Sequence, residues 1–339
     1  MNFFIAKNLD WTPYLVDELK DTVETENIQK VKGLPLVKVE GSVENIQVGL
    51  SLCALPEAQE IEAGSIGEQA DAIVSQVQDH IGNDDGINLQ VFSLSEKFCV
   101  ITSGRAEILR DKVHKKLKRS QYIVKRNYDP DSLAQVQAMI LPNREVHLSI
   151  LESEKAKASY KGVISPFAGG FTTIKDDKDA PSRAFKKIIE AQKVMNCFMQ
   201  PGETVVDLGA CPGGWSYVAL NRGCKVIAID RSEVREDLLY DDQLEFYKTD
   251  AFQFKTNEPI DWAISDIICM PERILELVET WVVTKLCRRF VFTIKFQGQD
   301  HYSILNEFKE KVDSLNDYEV ILRQLNVNKN EVTLMGYLR

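Results

Sequence analysis

The sequence predicts an α/β protein: a mostly parallel sheet in the C-terminal half, preceded by an α+β half. Three observations carry this. From Ser182 onward, short β-branched apolar runs alternate with helical stretches, the pattern of strands covered by helices on both faces. The first of those runs, TVVDLGA (204–210), leads into the glycine-rich turn CPGG (211–214) and a helix start, WSYVAL, which together make a strand, turn and helix unit. Before Ser182 the runs are shorter and mix strand-like with helix-like pieces.

Taken in order, FFIAKN, PYLVDELKDTV, LPLVKVEGS and VENIQVGLSLC suit a small α+β unit over 1–55. Residues 56–160 form a second unit, with a helix at DAIVSQVQDHI, a strand at INLQVFSLS, a basic helix, and AQVQAMIL and REVHLSIL as a hairpin around Pro142-Asn143. Residues 161–181 supply Gly, Pro and a charge cluster without a period, which predicts a linker. Over 182–339 a helix at SRAFKKIIEAQKVMNCFM precedes the strands TVVDLGA, KVIAID, LEFYKTD, DWAISDI, RRFVFTIKF, YEVILRQL and EVTLMGYL.

Composition narrows the function classes. At 44% hydrophobic and 9% aromatic the 339 residues are ordinary for a globular protein. No apolar run approaches the ~20 residues of a membrane span, and the N-terminus meets Asp10 and Trp11 too early for a signal peptide, so a cytoplasmic protein off the membrane is expected. Seven cysteines without a C-x-x-C pair, most in apolar runs (Cys99, Cys197, Cys269, Cys287), offer neither a disulfide framework nor a zinc set. Four scattered histidines (His80, His114, His147, His301) leave little for a metal site or a Ser-His-Asp triad, and no metal is expected.

The net charge of −10 is unevenly spread. Residues 1–104 hold six Lys against 17 Asp or Glu, whereas 105–126 hold nine Lys or Arg against Glu107 and Asp111. Leu109, Val113 and Leu117 fall at i, i+4 and i+8, so one helical face can dock while Arg110, Lys112, Lys115, Lys116, Lys118 and Arg119 stay outside. A cationic helix on an acidic protein suits a phosphate backbone.

In open α/β sheets ligands bind at the carboxyl ends of the strands. Here the first strand ends in Gly209, Cys211, Pro212, Gly213 and Gly214, with Trp215 opening the next helix; the next three end at Asp230, Asp250 and Asp266. This turn departs from the dinucleotide pattern G-x-G-x-x-G. An acid after the second strand suits two ribose hydroxyls, and Asp250 beside Phe252 suits an adenine amino group. With a turn that lets backbone approach a carboxylate, the set fits S-adenosylmethionine better than NAD.

Two further charges sit at strand ends: Lys295 closes RRFVFTIKF and Glu331 opens EVTLMGYL. If the last strand runs antiparallel, Glu331 joins Asp266 and Lys295, and Lys187 can reach the same crevice from the preceding helix. Two lysines and two carboxylates around a methyl donor suit deprotonation of a ribose hydroxyl. A lysine takes that proton only as the neutral amine, which a second cation and partial burial favour.

In order and spacing, APSRAFKKIIEA, VDLGACPGGWS, the SDI of the fourth strand, TIKFQG and NEVTL resemble the RrmJ/FtsJ-like RNA ribose 2′-O-methyltransferases. Within them the chain is most similar to the RlmM type, which acts on a cytidine ribose of large-subunit ribosomal RNA. The resemblance implies a Rossmann-like S-adenosylmethionine-dependent domain, its sheet mostly parallel with the last strand antiparallel, with a K-D-K-E tetrad, which falls on Lys187, Asp266, Lys295 and Glu331, with Lys295 as proton acceptor. It places donor contacts at Cys211 to Gly214, Asp230, Asp250 and Asp266. For the N-terminal half it implies a ferredoxin-like unit followed by a THUMP-like RNA-binding domain. Ala184 stands where the resemblance leads one to expect a serine, and the acidic first unit is unusual for an RNA enzyme.

Two rival readings use the same residues. A small-molecule O-methyltransferase needs neither the basic helix nor the extra half-chain. A non-catalytic RNA-binding protein on the same scaffold has no use for all four tetrad residues.

Overall fold

The computed structural model describes residues 1–62, 64–82, 86–95, 103–125 and 133–339, without the side chains of 299–301. Cys99, Arg126 and the His301 side chain lie outside the described residues. The chain divides into two compact units, Met1–Thr172 and Thr173–Arg339. No helix among the described residues is long and apolar enough to cross a membrane.

The first unit opens with β1 (Asn2–Ala6), α1 (Thr12–Thr22), β2 (Ile28–Lys30), β3 (Leu36–Val39) and β4 (Ser51–Leu55). These strands form an antiparallel sheet in the order β2-β3-β1-β4. Helix α1 starts with a proline in its first turn, where no hydrogen bond is lost, and buries Leu15, Val16 and Leu19. A ferredoxin-like βαββαβ pattern carries a second helix before its last strand; here residues 40–50 run without one. The buried Glu18 carboxylate instead takes the Gly49 and Leu50 amides at 2.7 and 2.8 Å, which satisfies backbone donors that a helix would have paired internally.

The unit continues with β5 (Gln59–Glu60), α2 (Ile66–His80), β6 (Gly86–Ser93), α3 (Gly104–Arg119), β7 (Ile123–Lys125), β8 (Leu133–Ile140), β9 (Val146–Leu151) and α4 (Ser153–Ser159). Its second sheet runs β5-β9-β8-β6-β7, with β6 parallel to both neighbours and β8–β9 an antiparallel hairpin. Ser65 and Glu68 close a reciprocal capping box on α2. On α3, Leu109, Val113 and Leu117 are buried in one core with Ile73 and Val77 of α2.

The stretch expected as a linker is divided between the units rather than free. Val163 and Ser165 carbonyls accept from the Ala54 amide (2.8 Å) and the Gln90 side chain (2.9 Å) in the first unit. In the second, Asp176 pairs with Lys186 at 2.7 Å, Asp177 accepts from the Tyr217 hydroxyl at 2.9 Å, and the Asp179 carbonyl accepts from Arg235 at 2.7 Å. An aperiodic sequence hid these bonds, because they go mostly to single side chains and form no ladder.

The second unit contains α5 (Phe185–Met195), β10 (Thr204–Leu208), α6 (Gly214–Asn221), β11 (Lys225–Asp230), α7 (Glu236–Leu239), β12 (Leu244–Lys248), β13 (Ile260–Ser265), α8 (Glu272–Leu277), β14 (Cys287–Lys295), α9 (Leu305–Ser314), β15 (Tyr318–Arg323) and β16 (Glu331–Leu338). Helix α5 is shorter than its apolar pattern because Asn196 turns left-handed at its end (φ 49°). The seven-stranded sheet runs β12-β11-β10-β13-β14-β16-β15. β12 to β14 are parallel, and β16 is antiparallel to both β14 and β15 between which it lies. This is a Rossmann-like sheet whose order reverses beside β10. Trp262, Phe290 and Phe292 are fully buried on its central strands.

Candidate active site

A cavity of about 520 Å³ opens at the carboxyl ends of the parallel strands, where the order reverses and a ligand crevice is expected. The turn after β10 forms its floor. Gly209 (φ 82°) has no room for a β-carbon, which would meet Ile267 at 2.7 Å, and the Cys211-Pro212 peptide is cis. Gly209, Cys211, Pro212, Gly214 and Trp215 line the cavity. Gly213 does not line it: at φ 106° its missing β-carbon would meet Leu238 at 2.4 Å and Val234 at 3.4 Å. Its side of the turn packs against α7.

The strand-end acids border the cavity with Thr249, Phe252 and Arg273. Asp230 accepts from the Cys211 amide at 3.0 Å and the Ser232 amide at 2.8 Å, so it braces the turn. Asp250 accepts from the Phe252 amide at 3.0 Å and from Arg231 at 2.5 Å. The amide bond first, then the Arg231 guanidinium, holds the Asp250 carboxyl below its ordinary range. Arg273 stacks on the Phe252 ring, 3.5 Å from its centre.

Several cavity residues, Asp207 and Ser182 among them, were not singled out in the sequence. Asp207, inside β10, is fully buried and pushed up to about 7, chiefly by burial and further by Asp266 and Asp230, against the bond from Ser216 Oγ at 2.7 Å. A lone acid in an otherwise apolar strand was the available signal. Ser182 Oγ is buried at the cavity wall without a partner among the described residues. An unpartnered buried hydroxyl at a cavity wall calls for a polar ligand group. Trp215 donates its indole N–H to the Ala184 carbonyl at 2.9 Å, fixing the chain at the position where serine was expected.

Lys187, Asp266, Lys295 and Glu331 come together beside this cavity. Lys187 stands in the first turn of α5, Asp266 follows β13, and Lys295 and Glu331 are opposite each other in the β14–β16 ladder. Lys187 Nζ bridges both carboxylates, at 2.9 Å to Asp266 Oδ1 and 2.7 Å to Glu331 Oε1. Lys295 Nζ reaches Asp266 Oδ1 at 3.1 Å and donates to the Asp266 carbonyl at 2.5 Å. All four are recessed, with side-chain exposures of 9 to 20%, and pairing two cations with two anions makes such burial tolerable. Among the described residues no group of three or more His, Cys, Asp or Glu is placed to hold a metal ion.

Fold and site together are those of a Rossmann-like unit with a ligand cavity where the strand order reverses. Residues 180–333 match the FtsJ-like methyltransferase family model, and this segment is an FtsJ-like methyltransferase domain, similar in particular to the RlmM type. The chain is 30% identical over 186 residues to ribosomal RNA large subunit methyltransferase M of Thauera aminoaromatica, covering 52% of this chain and 51% of that protein. It is 31% identical over 201 residues to the protein of that name from Azotobacter vinelandii, covering 56% and 55%. The chain thus spans about half the length of the curated relatives it matches. An rRNA methylase structure from Streptococcus thermophilus is similar at 18% identity and a TM-score of 0.33, over 49% of this chain and 99% of that one. FtsJ-like methyltransferases use S-adenosyl-L-methionine, and the residues here fit it: the cavity volume suits a ligand of that size, and it offers acids at successive strand ends and the unpartnered Ser182 hydroxyl.

Proposed function

We propose that this chain transfers a methyl group from S-adenosyl-L-methionine to a ribose 2′-hydroxyl of RNA, a cytidine of large-subunit ribosomal RNA, with Lys295 as proton acceptor. The observation that carries the reading is the unequal pairing of the two lysines. Lys187 is held by two carboxylates and Lys295 by one carboxylate and a carbonyl. Lys187 is therefore the more fully neutralised cation, a fixed charge that orients Asp266 and Glu331. Lys295 is the one of the two that lines the cofactor cavity, where it would meet the 2′-hydroxyl.

When bound, S-adenosyl-L-methionine supplies a methyl group on a sulfonium that departs as a neutral thioether. Asp230 would hold its ribose, Asp250 its adenine end, and Ser182 with the 209–212 backbone its amino-acid end. Lys295 Nζ would accept the 2′-hydroxyl proton as the oxygen attacks. Asp266, bonded to both lysines, sets the position of Lys295. Holding the oxygen in line with the methyl group supplies much of the rate.

The N-terminal half is read as a ferredoxin-like unit followed by a THUMP-like RNA-binding domain, in a cytoplasmic protein. Helix α3 supports RNA binding: its apolar face is buried and Lys112, Lys115, Lys118 and Arg119 are exposed. The test is to supply labelled S-adenosyl-L-methionine with large-subunit ribosomal RNA and digest the product to nucleosides. Label in a 2′-O-methylnucleoside is expected; label confined to a base, or none in RNA, contradicts the reading.

A further inference from the structure

Lys295 borders two cavities. Besides the cofactor cavity, a second one of about 390 Å³ lies between the chain leaving β14 and the chain entering β16, lined by Phe296, Gln297, Lys329 and Asn330. The two share Ile268, Cys269 and Lys295. A group in the second cavity and a methyl donor in the first would therefore meet at Lys295.

Resting on the ribose methyltransferase reading, we propose that this second cavity receives one unpaired nucleotide of the RNA, its base against Ile268 and its phosphate on Lys329. Ile268 is 84% exposed, an apolar side chain in water in a cavity it shares with Lys295, Lys329 and Glu331, and an unstacked base would cover it as apolar side chains cover flipped bases. Lys329 is exposed and has no ion-pair partner among the described residues, in contrast to Lys187 and Lys295. The walls are already tied to each other: the Phe296 amide donates to the Asn330 carbonyl at 3.0 Å and the Asn330 side chain donates to the Phe296 carbonyl at 2.9 Å. The site therefore needs little ordering on binding.

Depth excludes a duplex. The tetrad side chains are only 9 to 20% exposed, whereas the minor groove that displays 2′-hydroxyls on A-form RNA is wide and shallow. A paired ribose cannot descend to Lys295, but an extruded nucleotide can.

The test uses the full chain and a large-subunit ribosomal RNA transcript, with the methylated position mapped on the wild-type product. Lys329→Glu should lower kcat/KM for RNA at least tenfold while the calorimetric Kd for S-adenosyl-L-methionine stays within twofold; the side chain is exposed, so the change leaves the core untouched, and unchanged cofactor binding verifies the fold. Ile268→Ser should also lower kcat/KM for RNA. Annealing a complementary oligonucleotide over the mapped position should abolish methylation. Unchanged kcat/KM in both variants, or full methylation of the annealed nucleotide, overturns this inference and leaves the ribose methyltransferase reading intact. Absence of ribose methylation by the wild type overturns both.

Discussion

Lys295 and Glu331 are direct partners in the β14–β16 register, yet Glu331 forms its ion pair with Lys187, at 2.7 Å, from a different element. The antiparallel strand thus carries a carboxylate to the cavity edge of the sheet and pairs it with Lys187. Were β16 parallel to β14, its first residue would lie at the opposite edge of the sheet. Strand direction, more than sequence proximity, assembles the four charges.

Gly213 is expected to matter through packing. A valine there meets Leu238 and Val234 and must hold a left-handed backbone. Strain and overpacking together should cost roughly 2–4 kcal/mol. Thermal denaturation of Gly213→Val should show a clear fall in Tm even without cofactor; an unchanged Tm would contradict the packing role.

Asp207 should make stability pH-dependent. It keeps its proton to about pH 7 when folded, against an ordinary value of 3.8. Between those values the folded state binds more protons, so this group's contribution to stability falls as pH rises, by up to about 1.4 kcal/mol per unit, and is flat above. Asp207→Asn lacks this penalty, so its Tm relative to wild type should rise between pH 5 and pH 8. A difference independent of pH would mean that the carboxyl is ionised throughout.

Helix α3 should set the salt dependence of RNA binding. Removing one lysine that touches a phosphate makes the slope of log K against log salt shallower by about 0.7–0.9. Lys115→Gln and Lys118→Gln should each show this. Lys116, paired with Asp71 at 2.5 Å, should show less. Slopes that stay fixed would identify the helix as a solvated face only.

Much of the second unit was legible in the sequence, because its strands are β-branched runs and the acids stand at strand ends where the ligand crevice must lie. Lys187, Asp266, Lys295 and Glu331 could be brought together on paper once β16 was taken as antiparallel. Which lysine holds which carboxylate could not, since it depends on how α5 sits over β16. The packing of Gly213 on Leu238 was not legible, because a glycine that admits a ligand and one that admits a side chain look alike in sequence. Ser182 carried no signal at all, and residues 161–181 have no period because their bonds go mostly to single side chains and form no ladder. The missing helix at 40–50 was hidden for a related reason: Glu18, more than twenty residues earlier, satisfies that backbone.

The most direct measurement is the single-turnover methylation rate of Lys295→Arg on a preformed complex with S-adenosyl-L-methionine and RNA, beside Lys295→Ala and wild type. An arginine keeps the charge near Asp266 but cannot take a proton at a useful pH, and single-turnover rates exclude effects on binding and product release. If Lys295 accepts the 2′-hydroxyl proton, both variants should fold, bind cofactor and lose about 10²–10⁴ in rate. Near-wild-type turnover by Lys295→Arg would show that the residue acts only as a charge, and full activity in both variants would contradict the proposed site.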